Sequence, residues 1–497
     1  MRLRLMLAFI TMAGTAAWTG GAVAQEAPAA SAGQAERLFS PQEIAEDFRD
    51  LYRQLQEAHR DLYVNVSRAE YDTLFRRMLA EIRSPETASR TAVRFQRFVA
   101  FGRIAHARID AVVQDFAAYR ANGGRIFPLL LRIRQGRPFV VQNLSGIHAV
   151  RPGDEIVAIN GRPASWWLTK AWESLSADTP YMAHTLLEFR FAHHLWLELG
   201  PVERFNLTLH RDGQRLEVAV PARTRPEMTA ASLSQPPLLD LDWDERVLRL
   251  QPDEVAYLRP GPFYNNAPGA IDMYDESAFV GFIDRAFEAV LAAGATRLVI
   301  DLRDNPGGDN SFSDRMIAWF ATRPFRFASA IRIKVSPQAV ASNRRRIEAA
   351  GAQRNAGSDA LAAAYSGRRP GEIIDSPVPM TPPRDGTRFT GQVYVLVNRH
   401  SYSNAASAAA LIQDYHFGTI IGEETSDLAT TLGAMETFRL PRTGIEVGFP
   451  KSLIIRPNGS LDRRGVVPDL PIETPMQEGA DDPVLKQALE LVRARRP

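Results

Sequence analysis

The chain contains no cysteine. That excludes disulfides, thiolate metal sites, a cysteine nucleophile and lipid attachment through sulfur. Charge of one sign is also missing: 59 basic residues stand against 57 acidic ones, a formal net charge of +2. Such a balance gives no electrostatic footprint for nucleic acid. The basic residues are nearly all arginine. Beyond the N-terminus no run of roughly 18 consecutive apolar residues occurs, so no membrane span is expected in a processed chain. Neither an HExxH pattern nor an EF-hand loop is found, and no metal or other cofactor is expected.

What is there fits a globular protein of several domains. The 497 residues are 45% apolar and 23% charged, and at roughly 150 residues per domain they suggest about three domains. Arg2 and Arg4 precede an apolar run over residues 5–18, and Ala22-Val23-Ala24 supplies small residues where a signal peptidase reads. This pattern predicts a signal peptide over 1–24, a flexible leader over 25–37, and an exported, periplasmic or secreted product.

Residues 38–122 read as a helical cap. Ser40-Pro41-Gln42-Glu43 has an N-cap, a proline at the first helical position and acidic support, and Ile44, Phe48, Leu51 and Leu55 recur at helical spacing. Residues 126–222 turn β-rich, and within them Gly153 and Asn160-Gly161 suit tight turns. Residues 223–245 read as a linker. From 246 to 475 strands alternate with helices, at 254–258, 278–293, 297–302, 314–321, 393–398, 405–413 and 419–421, which predicts an α/β core. Residues 335–390 read as an insertion or lid, and 476–497 as a C-terminal helix.

Two segments of that core can carry chemistry. In Val393-Tyr-Val-Leu-Val-Asn-Arg-His-Ser-Tyr-Ser-Asn-Ala-Ala-Ser407 a strand runs through a polar turn into a small-residue helix. A hydroxyl at a helix N-terminus sits among free N–H groups, where an oxyanion is favoured. Ser401, Ser403 and Ser407 all compete, and a helix cap is the ordinary role for serine there. In Leu298-Val-Ile-Asp-Leu-Arg-Asp-Asn-Pro-Gly-Gly308 a strand ends in a glycine loop able to present N–H donors, though a plain strand–helix turn has the same composition.

Taken together these segments resemble the tail-specific (C-terminal processing) and tricorn-core serine peptidases. The resemblance rests on Asp301-Leu-Arg-Asp-Asn-Pro-Gly-Gly308, the 397–407 turn, Ile421-Gly-Glu-Glu-Thr425 and Gly465-Val-Val-Pro-Asp469, in the family's order. It implies a ClpP/crotonase-like α/β core, an α+β multidomain whole with an N-terminal helical cap, and a PDZ-like β domain inserted over 126–222. It implies peptide-bond hydrolysis on a polypeptide substrate, and it is compatible with a homo-oligomer. The family's nucleophile falls on Ser403, and its oxyanion donors on Asn404 and the Gly307-Gly308 loop. Bacterial tail-specific members carry an activating lysine in a Thr-Phe-Gly-Lys-Gly segment. Here that segment is Thr425-Ser-Asp-Leu-Ala-Thr430, without lysine, and the next lysine is Lys451. The resemblance to the tricorn branch instead implies His106 as base and Asp462 as the orienting acid; His59 and His400 are the other candidate histidines. A catalytically silent peptide-binding protein on the same fold is the alternative.

Overall fold

The computed structural model describes residues 37–495 except 271, 351–355 and 478. The signal peptide and all but the last residue of the leader lie outside the described residues. The chain folds as two units. Of the described residues, one takes those up to 236 and those of 333–374 and 432–452; the other takes those of 237–332 and 375–431 and those from 453 on.

The first unit opens with four helices, Pro41–Ala58, Arg68–Ala80, Ala88–Ala100 and Ala111–Ala121. The first begins on the capping box read from sequence: Glu43 N–H donates to Ser40 Oγ at 3.2 Å, and Ser40 N–H to Glu43 Oε2 at 2.8 Å. An antiparallel sheet follows, ordered Leu129–Arg134, Arg137–Asn143, Glu155–Ile159, Arg204–Arg211 and Gln214–Pro221, with the short Arg162–Pro163 strand beside Glu155–Ile159. Asn160 and Gly161 both take positive φ (49° and 74°), the conformation a two-residue hairpin turn needs. Two helices absent from the sequence reading, Ala164–Trp172 and Pro180–Leu199, fall within this stretch. The second is apolar on most sides, so it lacks a helical stripe. Its start was nonetheless marked: Thr179 Oγ1 caps Met182 N–H, and Pro180 takes the first position. Residues 223–245, expected as a linker, hold the helix Arg225–Leu233. The expected 335–390 insertion contains Pro337–Ala350, Ala356–Tyr365 and the strand Ile373–Ser376.

The second unit is built on a six-stranded sheet ordered Leu470–Pro471, Thr419–Gly422, Gln392–Val397, Arg297–Asp301, Val255–Arg259, Val247–Gln251. All neighbours are parallel except the last pair. Its four inner strands are buried on both faces, which is why they read as continuous apolar runs. Leu298, Ile300, Val393, Val395 and Val397 face one way, packing with Phe279, Ile283 and Phe287 of Ser277–Ala292 and Ala405, Ala408 and Ile412 of Asn404–Asp414. Val299, Tyr394 and Leu396 face the other way, toward Val484, Ala488 and Val492 of Pro483–Ala494. Among the described residues no helix is long and apolar enough to cross a membrane.

Candidate active site

Strand order positions the site. Arg297–Asp301 runs parallel to Gln392–Val397 with Asp301 opposite Leu396, so both strands release their loops at the same edge. Asp301 itself is structural. It is buried and bonded to Arg303, whose guanidinium also reaches Asp482 at 2.7 Å, at the cap of the C-terminal helix. Burial alone would raise the Asp301 pKa, but Arg303 and Arg259 hold it below the usual carboxylate range.

Asparagines join the two loops. Tyr402 N–H donates to the Asn305 carbonyl at 3.0 Å. Asn398 accepts from Asp304 N–H at 3.1 Å and donates to the Asp304 carboxylate at 2.9 Å. Asn305 Oδ1 accepts from Gly307 N–H at 2.9 Å, while its Nδ2 bonds the Gly261 carbonyl at 2.7 Å. Gly307 then lies directly against the serine turn: a Cβ there would meet the Tyr402 carbonyl oxygen at 2.5 Å, Asn404 N at 2.6 Å and Ser403 Cβ at 2.8 Å. A Cβ on Gly308 would run into the Phe263 carbonyl. Only glycine fits either position. The following helix starts four residues earlier than its apolar pattern predicts, at Asn310–Ile317, because Asp309 Oδ1 caps Ser311 N–H at 3.0 Å just past Gly308.

The three serines separate clearly. Ser401 is fully buried, and its Oγ donates to the Leu302 carbonyl at 2.7 Å and accepts from Asn398 N–H at 3.1 Å. Ser407 lies one turn into Asn404–Asp414, its N–H on the Ser403 carbonyl at 3.1 Å. Ser403 stands at the N-cap of that helix yet makes no side-chain cap bond. The ordinary capping role is therefore not the one it plays. Its backbone is at φ 54°, ψ −124°, a conformation few non-glycine residues adopt. Its N–H donates to Asp427 Oδ2 at 2.5 Å. Among the described residues no acceptor takes the N–H of Asn404 or of Gly308. Asn404 is itself fixed by its side chain, which donates to the Asp309 carbonyl at 3.0 Å and to Ser313 Oγ at 2.9 Å. Of the loop's two glycines, Gly307 has its N–H engaged and Gly308 does not.

Asp462 belongs to the same unit as Ser403; it is exposed, with its N–H on Ser460 Oγ at 3.2 Å. His106 belongs to the first unit. Its loop, between Ala88–Ala100 and Ala111–Ala121, is clamped by buried polar groups. Gln96 Oε1 accepts Ile109 N–H at 2.7 Å, and its Nε2 donates to the Ser174 carbonyl at 3.0 Å and to Ser176 Oγ at 3.1 Å. Asp178 accepts Ala105 N–H at 3.2 Å, and Ser176 Oγ donates to the Ala107 carbonyl at 2.5 Å. Arg108 and Gly448 exchange backbone hydrogen bonds of 3.2 and 2.8 Å. The ring of His106 is half-buried with Nδ1 enclosed and unpartnered among the described residues. Burial, with Arg108 nearby, lowers its pKa to about 4, against a smaller opposing pull from the Leu432 backbone.

Two other candidates, His59 and Lys451, have other work. His59 is buried and accepts Asp61 N–H at 3.1 Å, and burial lowers its pKa to about 3. Lys451 is buried and ion-paired with Glu436, which also binds Arg346 and accepts from Ser342 Oγ at 2.7 Å. Its ammonium is committed within the first unit, so Lys451 is not a stand-in for the missing activating lysine. Sequence reading overlooked Asp427, Asn305, Gln96 and Asp178. Of these only Asn305, inside the glycine-loop motif, carried a signal.

The sequence model for peptidase family S41 matches residues 269–472, which span the glycine loop, the serine turn and the Gly465–Asp469 signature. Over those residues the chain is similar to peptidase family S41. The chain is accordingly a serine-type peptidase, for which the substrate is polypeptide. Two solved structures of CPAF agree on the fold. Mature CPAF complexed with lactacystin is 17% identical with a TM-score of 0.60, covering 91% of this chain and 98% of that one. Mature CPAF alone is 17% identical at a TM-score of 0.58, covering 91% and 96%. The photosystem II D1 C-terminal processing protease is 15% identical at a TM-score of 0.44, covering 91% and 97%. No curated protein matches the chain by sequence.

Proposed function

We propose that this S41 peptidase is exported and cleaves polypeptides through an acyl-enzyme formed on Ser403. The observation that carries this is the uncommitted Ser403 hydroxyl at a helix N-terminus, next to the unengaged N–H groups of Asn404 and Gly308. Attack by Oγ on a carbonyl carbon puts negative charge on the carbonyl oxygen, and those two donors are the ones available to receive it. His106 is assigned as the base. Burial keeps its imidazole neutral near pH 7, which proton abstraction from Oγ requires. The proton then passes from His106 to the leaving amine, and water repeats the cycle to release the acyl group. Asp462 is assigned to orient the imidazole. The antiparallel sheet over 129–221 is assigned a PDZ-like role, recruiting an extended segment of the substrate by strand addition.

A fluorophosphonate probe and peptide turnover test this on the full chain. The wild type should label and Ser403→Ala should not. His106→Ala and Asp462→Ala should each slow labelling by about 100-fold or more. Labelling that survives in Ser403→Ala overturns the nucleophile. Peptide binding with neither labelling nor turnover establishes a silent binding protein instead.

A further inference from the structure

We infer that Asp427 is a positioning residue for catalysis: its carboxylate holds Ser403 in its left-handed conformation at the helix N-terminus, so that the serine hydroxyl is left for the reaction. This rests on the reading of Ser403 as nucleophile.

A non-glycine residue at φ 54°, ψ −124° is held there by its surroundings, since the conformation costs about 1–3 kcal/mol. Three contacts hold this one. Gly307 packs against it from the neighbouring loop, its carbonyl accepts Ser407 N–H at 3.1 Å, and its N–H lies on Asp427 Oδ2 at 2.5 Å. The last is the only one to a charged group, and charge-assisted bonds are the strong ones. A carboxylate at this place also lies by the positive end of the Asn404–Asp414 helix, where negative charge is favoured. Ser403 Oγ makes no cap bond of its own. The same bond removes Ser403 N–H from the donors open to an oxyanion, leaving Asn404 and Gly308.

Asp427 is itself held tightly. It is 2% exposed; Oδ1 accepts Leu428 N–H at 2.9 Å, and its carbonyl accepts from Thr425 Oγ1 at 2.9 Å. Thr425 Oγ1 in turn accepts Val466 N–H at 2.9 Å, and Thr425 N–H donates to the Val466 carbonyl at 3.2 Å. Gly465 touches Thr425 so closely that no Cβ fits. Asp427 thus ties the serine turn to the segment that follows Asp462. Asp427 itself lies in residues 425–430, the segment that matches the lysine-bearing one of the Ser–Lys members. Here the segment acts on the serine backbone instead of on its hydroxyl.

The test is fluorophosphonate labelling and peptide kinetics on wild type, Asp427→Ala, Asp427→Asn and Ser403→Ala, with thermal unfolding run in parallel. Asp427→Ala should lower the labelling rate and kcat about 10- to 100-fold with KM little changed. Asp427→Asn, which keeps one acceptor oxygen, should recover part of that loss at matched unfolding temperature. Wild-type labelling in a folded Asp427→Ala variant, while Ser403→Ala is silent, overturns the positioning role and leaves the nucleophile standing. So does an Asp427→Asn variant that folds as the wild type does but is no faster than Asp427→Ala. If Asp427→Ala fails to fold, that second comparison, made between Asp427→Asn and wild type, decides: equal rates overturn the role, and a selective fall in kcat supports it. Labelling that persists in Ser403→Ala removes both readings.

Discussion

Single residues of the serine turn and of the glycine loop are constrained by backbone contacts as well as by side-chain hydrogen bonds. Gly307 is the clearest case: φ is 86°, and the space a methyl would need is filled by Tyr402, Ser403 and Asn404. Gly307→Ala should therefore push the serine turn away from the glycine loop. The expected result is loss of most fluorophosphonate labelling, with a stability loss of about 1–3 kcal/mol from the strained backbone. Labelling rate set against the denaturation midpoint checks this; unchanged labelling would show that the loop and turn do not depend on each other. The sequence signalled that something special happens at Pro-Gly-Gly, but not which glycine is in contact and which has the unengaged N–H. That distinction depends on one side chain, Asn305, turning back to its own loop.

At the scale of elements, the parallel sheet was legible because its inner strands are buried on both faces and read as continuous apolar runs between helical segments. Every strand expected between 254 and 421 lies within a residue or two of its place. The chain between 126 and 222 was harder. Its strands alternate and could be read, whereas Pro180–Leu199, with Leu187, Phe191, His193, His194 and Leu195 all buried, shows no stripe. The supports of the His106 loop were not legible at all, because Gln96 and Asp178 act across long sequence separations and look like surface residues in a string. Gln96 satisfies three partners in the interior. Gln96→Leu should leave Ile109 N–H and the Ser174 carbonyl unbonded and cost about 2–4 kcal/mol. Urea unfolding measures it; a change within about 0.5 kcal/mol, the range of ordinary surface substitutions, would show that the loop is held by packing alone.

For the whole molecule, the buried histidines of the first unit and the buried Asp314 of the second respond to acid in opposite senses. The first unit buries His59, His106, His193 and His194 in neutral form. Burial lowers their pKa values to about 3, about 4, about 3 and, for His194, well below the ordinary value. An unfolded histidine takes up its proton near 6.5, so below that pH the unfolded chain binds more protons than the folded one. Stability of this unit should fall from about pH 6.5 downward and go on falling to about pH 3–4, by at most about 1.4 kcal/mol per pH unit for each histidine. In the second unit burial raises Asp314 to about 6. Its folded form holds the proton more tightly than the unfolded one, so this group loses stability as pH rises through roughly 4 to 6. Hydrogen exchange at pH 5 against pH 7.5 should show amides of residues 41–121 and 180–199 opening first. Equal protection of both units at pH 5 would contradict it.

One backbone pair bears on how the protein is made. Arg108 and Gly448 grip each other next to His106. The ribosome delivers the first of these well before the second. A growing chain therefore carries its histidine loop unlatched until Gly448 has been made. A fragment cut between the serine turn and Gly448 keeps the assigned nucleophile but lacks the backbone partner that steadies its assigned base, so the order of synthesis delays the assembly of the proposed site until Gly448 has followed Ser403.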